Sequence, residues 1–419
     1  MRPNIEQKDA SGRRLVGLLA FVQFVNILDF MMVMPLGPDF SAELGIPTSK
    51  LGIVGGSYTA AAAISGLVSA FILDQFPRKK ALMTVVTGLS VATFAGAFST
   101  GLDSLLAARV LAGCFGGPAS ALALAIVADA IPVSRRGRAL GVVMGAFSIA
   151  SIAGVPVGLE LARAGGWRAP FIGVGALALI AVLGTWLFMQ EPAIPQRAPG
   201  LPGAPRLTVR KLLAQFRKRD HLISLALAGT VMFSGFIVIP NIAAFVQKNL
   251  GYPREKLGFM YMAGGLASLV SMQIAGRLTD RVGALATSAF GTAVLLTALI
   301  FGFAHHEPAF TPAVIAGLFM TGTSIRAISF NTLTSRVPQP NERGAFMSVQ
   351  STMQHVASAS GAFVSSHLLT SDTDGKLLGI ETVAGISVVI SLCVPVLIQI
   401  LEKQIAKREK TKLDEAIRS

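Results

Sequence analysis

The sequence predicts an all-α membrane protein with twelve transmembrane helices, arranged as two six-helix halves that are related by a parallel pseudo-two-fold repeat. Three observations predict this fold class. Of the 419 residues, 52% are hydrophobic and 14% are charged, whereas an average soluble domain is roughly 25% charged. The apolar residues fall into blocks of about 20, the length that crosses a bilayer core as a helix. Finally, a set of sequence features recurs at one offset in the two parts of the chain.

Twelve apolar segments are long enough to cross a membrane. The block Lys80–Leu102 has no charged side chain between its ends, and Arg168–Glu191 has none either. We place the spans at residues 15–37, 50–73, 80–99, 103–131, 139–163, 168–190, 222–247, 256–279, 285–304, 309–336, 345–370 and 378–401.

The segment 191–220 separates the spans into two groups of six. It is proline-rich at its start and basic at its end, which predicts a linker followed by a basic interfacial helix. We therefore expect an N-terminal tail (1–14), a six-helix bundle (15–190), this linker, a second six-helix bundle (221–401) and a basic C-terminal tail (402–419).

The distribution of positive charge predicts the orientation in the membrane. With these spans, 27 of the 36 lysines and arginines fall in the tails and loops of one side and 7 in the loops of the other. Basic loops stay in the cytoplasm, so both termini are expected there, in a multi-pass protein of the inner (plasma) membrane. Because topology accounts for the net charge of +14, we predict the lipid bilayer and no nucleic acid as partners, and a monomer.

The two groups of spans repeat each other in sequence. Residues Leu44–Gly52 read LGIPTSKLG and Leu250–Gly258 read LGYPREKLG, at an offset of 206. The same offset, within one residue, relates three further pairs, namely Asp74 and Asp280, Pro132 and Pro338, and Pro35 and Pro240. Since each group has six spans, the second starts from the same side as the first, which makes the repeat parallel about an axis along the membrane normal.

The loop between spans 2 and 3 identifies a family. Residues 70–80 read AFILDQFPRKK, and the equivalent residues 276–283 read GRLTDRVG. Both resemble the Gly-x-x-x-Asp-Arg-x-Gly-Arg-Lys loop of the major facilitator superfamily, although Ala70, Gln75 and Pro77 depart from it. The resemblance implies the major facilitator fold.

The same loops supply a candidate conformational latch, formed by Asp74, Arg78, Asp280 and Arg281. A carboxylate at the end of span 2 can face the N-terminus of a span from the other half, where the helix dipole stabilises it by roughly 0.3–1 kcal/mol. Such a contact would exist only when the cytoplasmic side is closed. The alternative is that Asp74 is an ordinary acid of a cytoplasmic loop.

The candidate coupling site begins with Asp29, the only acid deep in span 1. Gln23 and Asn26 precede it at spacings of three and share its helical face. Arg109 in span 4 lies at a similar depth. The resemblance implies that spans 1, 4, 7 and 10 line a central cavity, so both residues would face it. There Asp29 would carry the coupling proton and Arg109 would set its proton affinity. The alternatives are a permanent ion pair and an Arg109 that reaches to the interface.

Two short motifs extend the resemblance. Arg109 followed by Gly113 resembles the family's span-4 motif, and Gly154, Pro156 and Gly158 resemble a glycine- and proline-rich motif of drug and sugar efflux proteins, which include proton antiporters. Glycine and proline let helices pack closely and bend, which suits a moving interface. Plain helix packing is the alternative.

The second half supplies three further candidates for the cavity, which are Asn241, Arg326 and His355. Charged and titratable side chains are rare in membrane spans and mark functional sites. For His355, a hydrogen-bonded packing role is the alternative.

No phosphate-binding loop or zinc-protease motif is present, so we predict no enzyme activity, no cofactor and no metal site. Cys114 and Cys393 lie in apolar blocks, which predicts small core residues rather than a disulfide.

These features predict a secondary active transporter that exports a small molecule by alternating access, coupled to inward proton flow. The chain has 25 phenylalanines and 14 methionines but only 2 tryptophans and 3 tyrosines, which favours an apolar or amphiphilic substrate. An uncoupled facilitator or an importer of a small solute such as a sugar is the alternative, and the proton dependence of transport separates the two. A receptor or scaffold would show no flux.

Overall fold

The computed structural model describes residues 5–72, 75–190, 209–339 and 342–418. Side chains are described except at residues 5–11, 70, 133–134, 209, 211, 409–410 and 412–418. Residues 191–208 of the predicted linker and Asp74 of the predicted latch lie outside the described residues. We refer to residues 5–190 as the first half of the chain and to residues 209–418 as the second half.

The first half consists of helices joined by short loops. Its helices are α1 (Ile5–Met32), α2 (Gly37–Leu44), α3 (Leu51–Ile72), α4 (Arg78–Ala97), α5 (Leu102–Ala130), α6 (Val133–Ile149), α7 (Val155–Gly165) and α8 (Arg168–Phe188). A 3₁₀ turn, Thr48–Lys50, precedes α3, and a π-helical turn, Ala150–Gly154, joins α6 to α7. Helix α1 ends earlier than the predicted span 15–37, because Pro35 cannot continue a helical hydrogen-bond ladder.

The second half is also helical. Its helices are α9 (Val209–Gln215), α10 (Arg219–Phe236), α11 (Ile242–Ala244), α12 (Leu257–Ala298), α13 (Pro312–Thr334), α14 (Arg343–Leu368) and α15 (Ile380–Arg418). A 3₁₀ turn at Ile239–Asn241 separates α10 from α11, and π-helical turns follow α11 (Phe245–Asn249) and α12 (Leu299–Ala304). The strands β1 (Thr370–Ser371) and β2 (Leu377–Leu378) form an antiparallel pair between α14 and α15.

Ten helical stretches among the described residues are long and apolar enough to cross a membrane. One of them, Arg254–Ala304, has 51 residues and would be roughly 75 Å long if straight, more than twice the thickness of a bilayer core. Its backbone leaves the helical conformation at Gly283 (φ 89°), which only glycine adopts readily. Helix α14, with 26 residues, is not among the ten. The protein is therefore an all-α membrane protein with ten to twelve crossing helices, and the twelve-span count stays a prediction.

Large apolar side chains remain exposed along most of these helices. Ile64, Phe98, Leu187 and Val389 are each more than half exposed, as expected where helices face lipid instead of water. Both cysteines are also exposed and free of disulfides. The prediction that they are core residues was wrong, because apolar character does not distinguish a helix face that contacts lipid from one that contacts other helices.

Glycines set the distance between α3 and α5. A Cβ atom added to Gly113 would overlap the backbone carbonyl of Tyr58, one at Gly116 would overlap the Tyr58 hydroxyl, and one at Gly117 would lie 2.6 Å from the carbonyl oxygen of Ala62. The two backbones are therefore in contact, as small residues allow in membrane bundles. This packing places Tyr58 beside the interior face of α5.

The two halves of the chain also meet through small residues. A Cβ at Gly52 of α3 would overlap the Ala362 carbonyl of α14, and one at Gly56 would lie 3.1 Å from the Ala362 side chain. On the other side, a Cβ at Gly265 of α12 would lie 3.0 Å from the Ile152 side chain in the π-helical turn before α7. Glycines therefore let the backbones of the two halves approach closely at both places.

Replacement of Gly113 by alanine tests this packing. Its methyl group would overlap the α3 backbone, so we expect a loss of stability of about 1–3 kcal/mol, seen as a lower thermal unfolding temperature of the purified protein. Gly17→Ala is the matched control, because Gly17 has open space around it and alanine favours the helix. Equal unfolding temperatures for the two variants would contradict the proposed contact between α3 and α5.

Candidate functional site

A buried ion pair joins α1 to α5. Arg109 donates from one terminal nitrogen to Oδ2 of Asp29 (2.9 Å), and from the other to Oδ1 (3.2 Å). The first nitrogen also lies 3.3 Å from the backbone carbonyl oxygen of Asp29. The side chains of Arg109 and Asp29 are 1% and 0% exposed. The two residues that sequence analysis placed at similar depth therefore meet inside the first half, enclosed by helices.

Two side chains from neighbouring helices complete the surroundings of the ion pair. The Thr93 hydroxyl of α4 donates to Oδ1 of Asp29 (2.7 Å). The Tyr58 ring of α3 lies beneath the Arg109 guanidinium, 4.9 Å from ring centroid to Cζ. Sequence analysis missed both residues, although Tyr58 is one of only 3 tyrosines in the chain, and an amphipathic ring in an apolar span was a usable signal.

The polar residues that precede Asp29 also face α5. Asn26 donates to the Ser120 hydroxyl (2.8 Å) and to the Gly116 carbonyl (3.1 Å), and it accepts from the Tyr58 hydroxyl (3.0 Å). Ser120 in turn donates to Oε1 of Gln23 (3.2 Å). The structure thus brings Gln23, Asn26 and Asp29 together with α5 in a row of polar groups that runs along α1. We call these residues, with Tyr58, Thr93, Arg109 and Ser120, the polar row.

The electrostatics of the ion pair follow from its burial. Each charge alone would cost several kcal/mol in an apolar interior, and the partner, together with the added hydrogen bonds, offsets that cost. An aspartate can escape an unpaired state by taking a proton, whereas arginine stays charged. Arg109 is therefore a fixed cation inside the bundle, and the Asp29 carboxylate is its counter-charge.

The second half contains a buried arginine without such a partner. Arg326 of α13 is 1% exposed, and it donates to the hydroxyls of Ser234 (3.0 Å) and Ser391 (3.3 Å). Ser234 corresponds to Asp29 at the offset of 205 that relates Pro35 to Pro240. Where the first half places a carboxylate opposite its arginine, the second half places a hydroxyl. No ion pair of Arg326 occurs within the described part of the chain.

The other two candidates of the second half lie apart from Arg326. Asn241 is buried where α10 breaks, and it donates to the Ser365 hydroxyl of α14 (3.1 Å). His355 lies in the middle of α14 and is partly buried. The structure does not bring these residues into the polar row, and their role in a cavity stays a prediction.

The described members of the predicted latch are Arg78 at the start of α4, and Asp280 and Arg281 in α12. Arg78 forms an ion pair with Asp129 at the end of α5 (3.0 Å), an acid of its own half that sequence analysis did not single out. Asp280 and Arg281 are exposed near the break at Gly283. With Asp74 outside the described residues, the latch stays a prediction.

The glycine- and proline-rich motif occupies an irregular stretch between the halves. The π-helical turn ends at Gly154, and Pro156 opens α7. A Cβ at Gly154 would lie 2.9 Å from Leu28 of α1, while Pro156 lies 3.8 Å from the position of a Cβ on Gly258 of α12. The motif therefore contacts both halves.

An ion pair connects the two halves at one end of the bundle. Arg254 donates from two nitrogens to the two carboxylate oxygens of Asp39, at 3.0 and 2.8 Å. Beside it, the Thr48 hydroxyl lies 2.7 Å from the Ser371 hydroxyl and donates to the Gly375 carbonyl (3.0 Å). We call these five residues the clasp. Sequence analysis missed it, although Thr48 and Arg254 lie in the two repeated segments.

Comparison with known proteins identifies the fold and the relatives of the chain. The model of the Major Facilitator Superfamily matches residues 19–362. A chloramphenicol resistance protein from Streptomyces lividans is 26% identical over 368 residues, covering 87% of this chain and 90% of that protein. An efflux pump of the same superfamily from Mycolicibacterium smegmatis is 25% identical over 397 residues, covering 90% of each chain.

Two solved structures share the fold. A bacterial homologue of the human lysosomal transporter Spinster, in an inward-facing and unoccupied conformation, superposes with a TM-score of 0.73 at 14% identity over 95% of this chain and 98% of that one. The nucleoside transporter NupG superposes equally well, with a TM-score of 0.73 at 14% identity over 93% and 99% of the two chains.

Removal of one charge at a time tests the energetics of the buried pair. Asp29→Asn leaves Arg109 without a counter-charge and should cost about 3–5 kcal/mol, whereas Arg109→Gln should cost less, because Asp29 can then take a proton. The double variant Asp29→Asn/Arg109→Gln should be more stable than Asp29→Asn alone. Thermal unfolding of the four purified proteins measures the coupling, and strictly additive effects would show that the two side chains do not stabilise each other.

Proposed function

The chain belongs to the Major Facilitator Superfamily, and on that basis we propose that it exports a small apolar or amphiphilic molecule by alternating access, in exchange for protons. Efflux proteins among its relatives support export. The observation that carries the coupling is the enclosed pair of Asp29 and Arg109, because Asp29 is an acid that can change its charge inside an apolar bundle. The chain acts as a carrier and has no enzymatic role.

Proton coupling depends on two opposing effects on the charge of the Asp29 carboxyl group. The adjacent cation favours the charged carboxylate, whereas burial favours the neutral acid. Movement of the two halves against each other changes both effects, so Asp29 takes up a proton in one conformation and releases it in the other. The Thr93 hydroxyl and the Arg109 guanidinium hydrogen-bond to the Asp29 carboxylate, so the proton enters and leaves at a carboxylate that these two side chains hold in place.

The proposed architecture has twelve spans in two six-helix halves, with α12 crossing twice and α14 crossing once. The excess of basic residues on one side supports cytoplasmic termini, which places the clasp on the outer face. The protein works as a monomer, and the latch of Asp74, Arg78, Asp280 and Arg281 closes the inner face. Asn241, Arg326 and His355 are then available to the substrate as the halves move.

The clasp holds the two halves together at the outer face, so this face is closed in the conformation described. Asp39 and Thr48 belong to the first half, whereas Arg254, Ser371 and Gly375 belong to the second. These contacts must break before the outer face can open.

An uncoupled facilitator or importer is the second candidate, and the fold shared with a nucleoside transporter supports it. Its transport would follow the substrate gradient alone. A transport-inactive receptor would bind substrate without flux.

The coupling proposal predicts the behaviour of Asp29→Asn in proteoliposomes. A panel of amphiphilic antibiotics, beginning with chloramphenicol, first identifies a transported compound. One proton that moves down 100 mV supplies about 2.3 kcal/mol, enough for roughly 50-fold accumulation. Asp29→Asn should still bind the compound, measured by thermal shift, but accumulation should fall to about onefold.

The double variant Asp29→Asn/Arg109→Gln is the control for folding, since it also lacks the acid but has no unpaired charge. It should lose accumulation equally. Uphill transport at a normal rate by Asp29→Asn would place the proton site elsewhere. The next candidates are His355 of α14 and Glu160 of α7, which forms an exposed ion pair with Arg163.

The clasp predicts a shift in conformation. Arg254 and Asp39 are each about one-fifth exposed, and such pairs contribute up to about 1 kcal/mol. Arg254→Gln should therefore raise the fraction of outward-open protein by up to about fivefold. The distance between spin labels at Ala42 and Lys376 measures this fraction, in a protein in which Cys114 and Cys393 are replaced by serine. The charge-reversed pair Asp39→Arg/Arg254→Asp should restore the closed distance. An unchanged distance in Arg254→Gln would mean that the clasp does not hold the outer face.

A further inference from the structure

Tyr58 lies between the buried ion pair and the boundary of the two halves. Its side chain is 5% exposed. One face of its ring lies against the Arg109 guanidinium at 4.9 Å, and its hydroxyl donates to Asn26 (3.0 Å). A cation over an aromatic ring is attracted by the electrons of the ring face. Arg109 and the Tyr58 ring are therefore in direct, attractive contact.

The ring of Tyr58 also contacts an aromatic residue at the boundary. The centroids of Tyr58 and Phe30 are 5.1 Å apart, and those of Phe30 and Phe236 are 6.1 Å apart. Phe30 follows Asp29 directly on α1. Phe236 belongs to the second half and is the last residue of α10, before the turn that contains Pro240. The contacts thus run without a gap from Arg109 through Tyr58 and Phe30 to a break in a helix of the opposite half.

The position of Tyr58 is closely constrained by its neighbours. The missing side chains of Gly113 and Gly116 provide the space that its backbone and hydroxyl occupy, and a Cβ at Gly116 would also lie 2.7 Å from Oδ1 of Asn26. A ring held this tightly cannot absorb a displacement by rotating into free space. It passes the displacement to Phe30.

We propose that Tyr58 is the positioning residue that links the charge state of the ion pair to the contact between the halves. The inference rests on the proposed proton coupling at Asp29. While Asp29 is charged, its two oxygens hold Arg109. When Asp29 takes a proton, the ionic attraction ends and the guanidinium moves onto the Tyr58 ring. The ring then shifts Phe30 and loosens its contact with Phe236.

The surroundings of Asp29 restrict which groups can drive this change. The charged and titratable groups that face it are Arg109 from α5 and Tyr58 from α3, and α4 contributes the Thr93 hydroxyl. On the other side of α1, Gly154, Gly158 and Gly184 lie against the apolar side chains Leu28, Met32 and Leu18. A response to pH at this place therefore reports on Asp29.

The test measures conformation against pH with the full-length protein in lipid nanodiscs. Spin labels at Ala42 and Lys376, in the background that lacks Cys114 and Cys393, report the opening of the outer face. Between pH 5 and pH 8 the unsubstituted protein should change its open-to-closed ratio by a factor within the 5–150-fold range of coupled sites. Tyr58→Leu, which removes the ring, should reduce the change to less than about twofold, and Phe236→Leu should do the same.

Two variants separate this role from a general need for aromatic packing. Tyr58→Phe keeps the ring contacts and should retain the pH response. Phe301→Leu removes one ring of the stacked pair Phe301–Phe310, whose centroids are 5.6 Å apart. This pair is not part of the contacts from Tyr58 through Phe30 to Phe236, so the variant should also retain the pH response.

The remaining outcomes distinguish the proton coupling at Asp29 from the positioning role of Tyr58. A full response in Tyr58→Leu, with none in Asp29→Asn, would overturn the role of Tyr58 and leave the proton coupling intact. An absence of response in the unsubstituted protein would overturn the coupling at Asp29, and this inference with it. Loss of the response in Phe301→Leu would show that any aromatic contact suffices, which also overturns the inference.

Discussion

A charged pair inside an apolar bundle is the constraint on which the first half of this protein depends. Asp29 and Arg109 are almost completely excluded from solvent, in helices whose outer faces are apolar. Neither charge could remain there alone, because the surroundings offer little solvation. The need to pair them requires α1 and α5 to lie side by side at one register. The hydroxyls of Thr93 and Ser120 and the amide of Asn26 then take positions that this register makes available.

Close helix packing is the second constraint on the structure, after the buried ion pair. Glycines on α5 let α3 approach until Tyr58 lies against Arg109, and small residues also occupy the boundary between the halves of the chain. A boundary built from small residues is held by contact instead of by interlocking side chains, so opening it requires few rearrangements. The clasp adds a polar contact at one end, where water is available to replace its hydrogen bonds once it breaks. The halves differ chemically, because Ser234 stands opposite Arg326 where Asp29 stands opposite Arg109.

How far the sequence predicts the site depends on how rare each residue type is within its surroundings. Asp29 and Arg109 could be found because charges are scarce in apolar segments, and the row of Gln23 and Asn26 followed from helical spacing. Thr93 and Ser120 could not be found, since hydroxyls occur in nearly every helix and only the rotation of each helix decides which of them face inwards. The clasp depends on how two loops meet in space, which no local pattern records.

The helices of the fold could be predicted where they depend on the thickness of the membrane, but not where they depend on packing. Apolar blocks predicted the helical class and most helices to within a few residues, because hydrocarbon thickness sets the length of a span. The break at Gly283 lies in the predicted loop between spans 256–279 and 285–304. The π-helical turn before Pro156 was not predicted, since it interrupts the predicted span 139–163. The cysteines were assigned to the core, because an apolar block does not reveal which of its faces meets lipid.

The central claim is that Asp29 gains and loses a proton beside Arg109 during the working cycle. Infrared difference spectroscopy of the protein in lipid, recorded between pH 5 and pH 8, detects the carbonyl stretch of a protonated carboxylic acid directly. The account predicts a band for the protonated acid that is present in the unsubstituted protein and absent from Asp29→Asn, with the remaining carboxyl bands unchanged. Identical difference spectra for the two proteins would show that Asp29 keeps one charge state throughout, and would contradict the account.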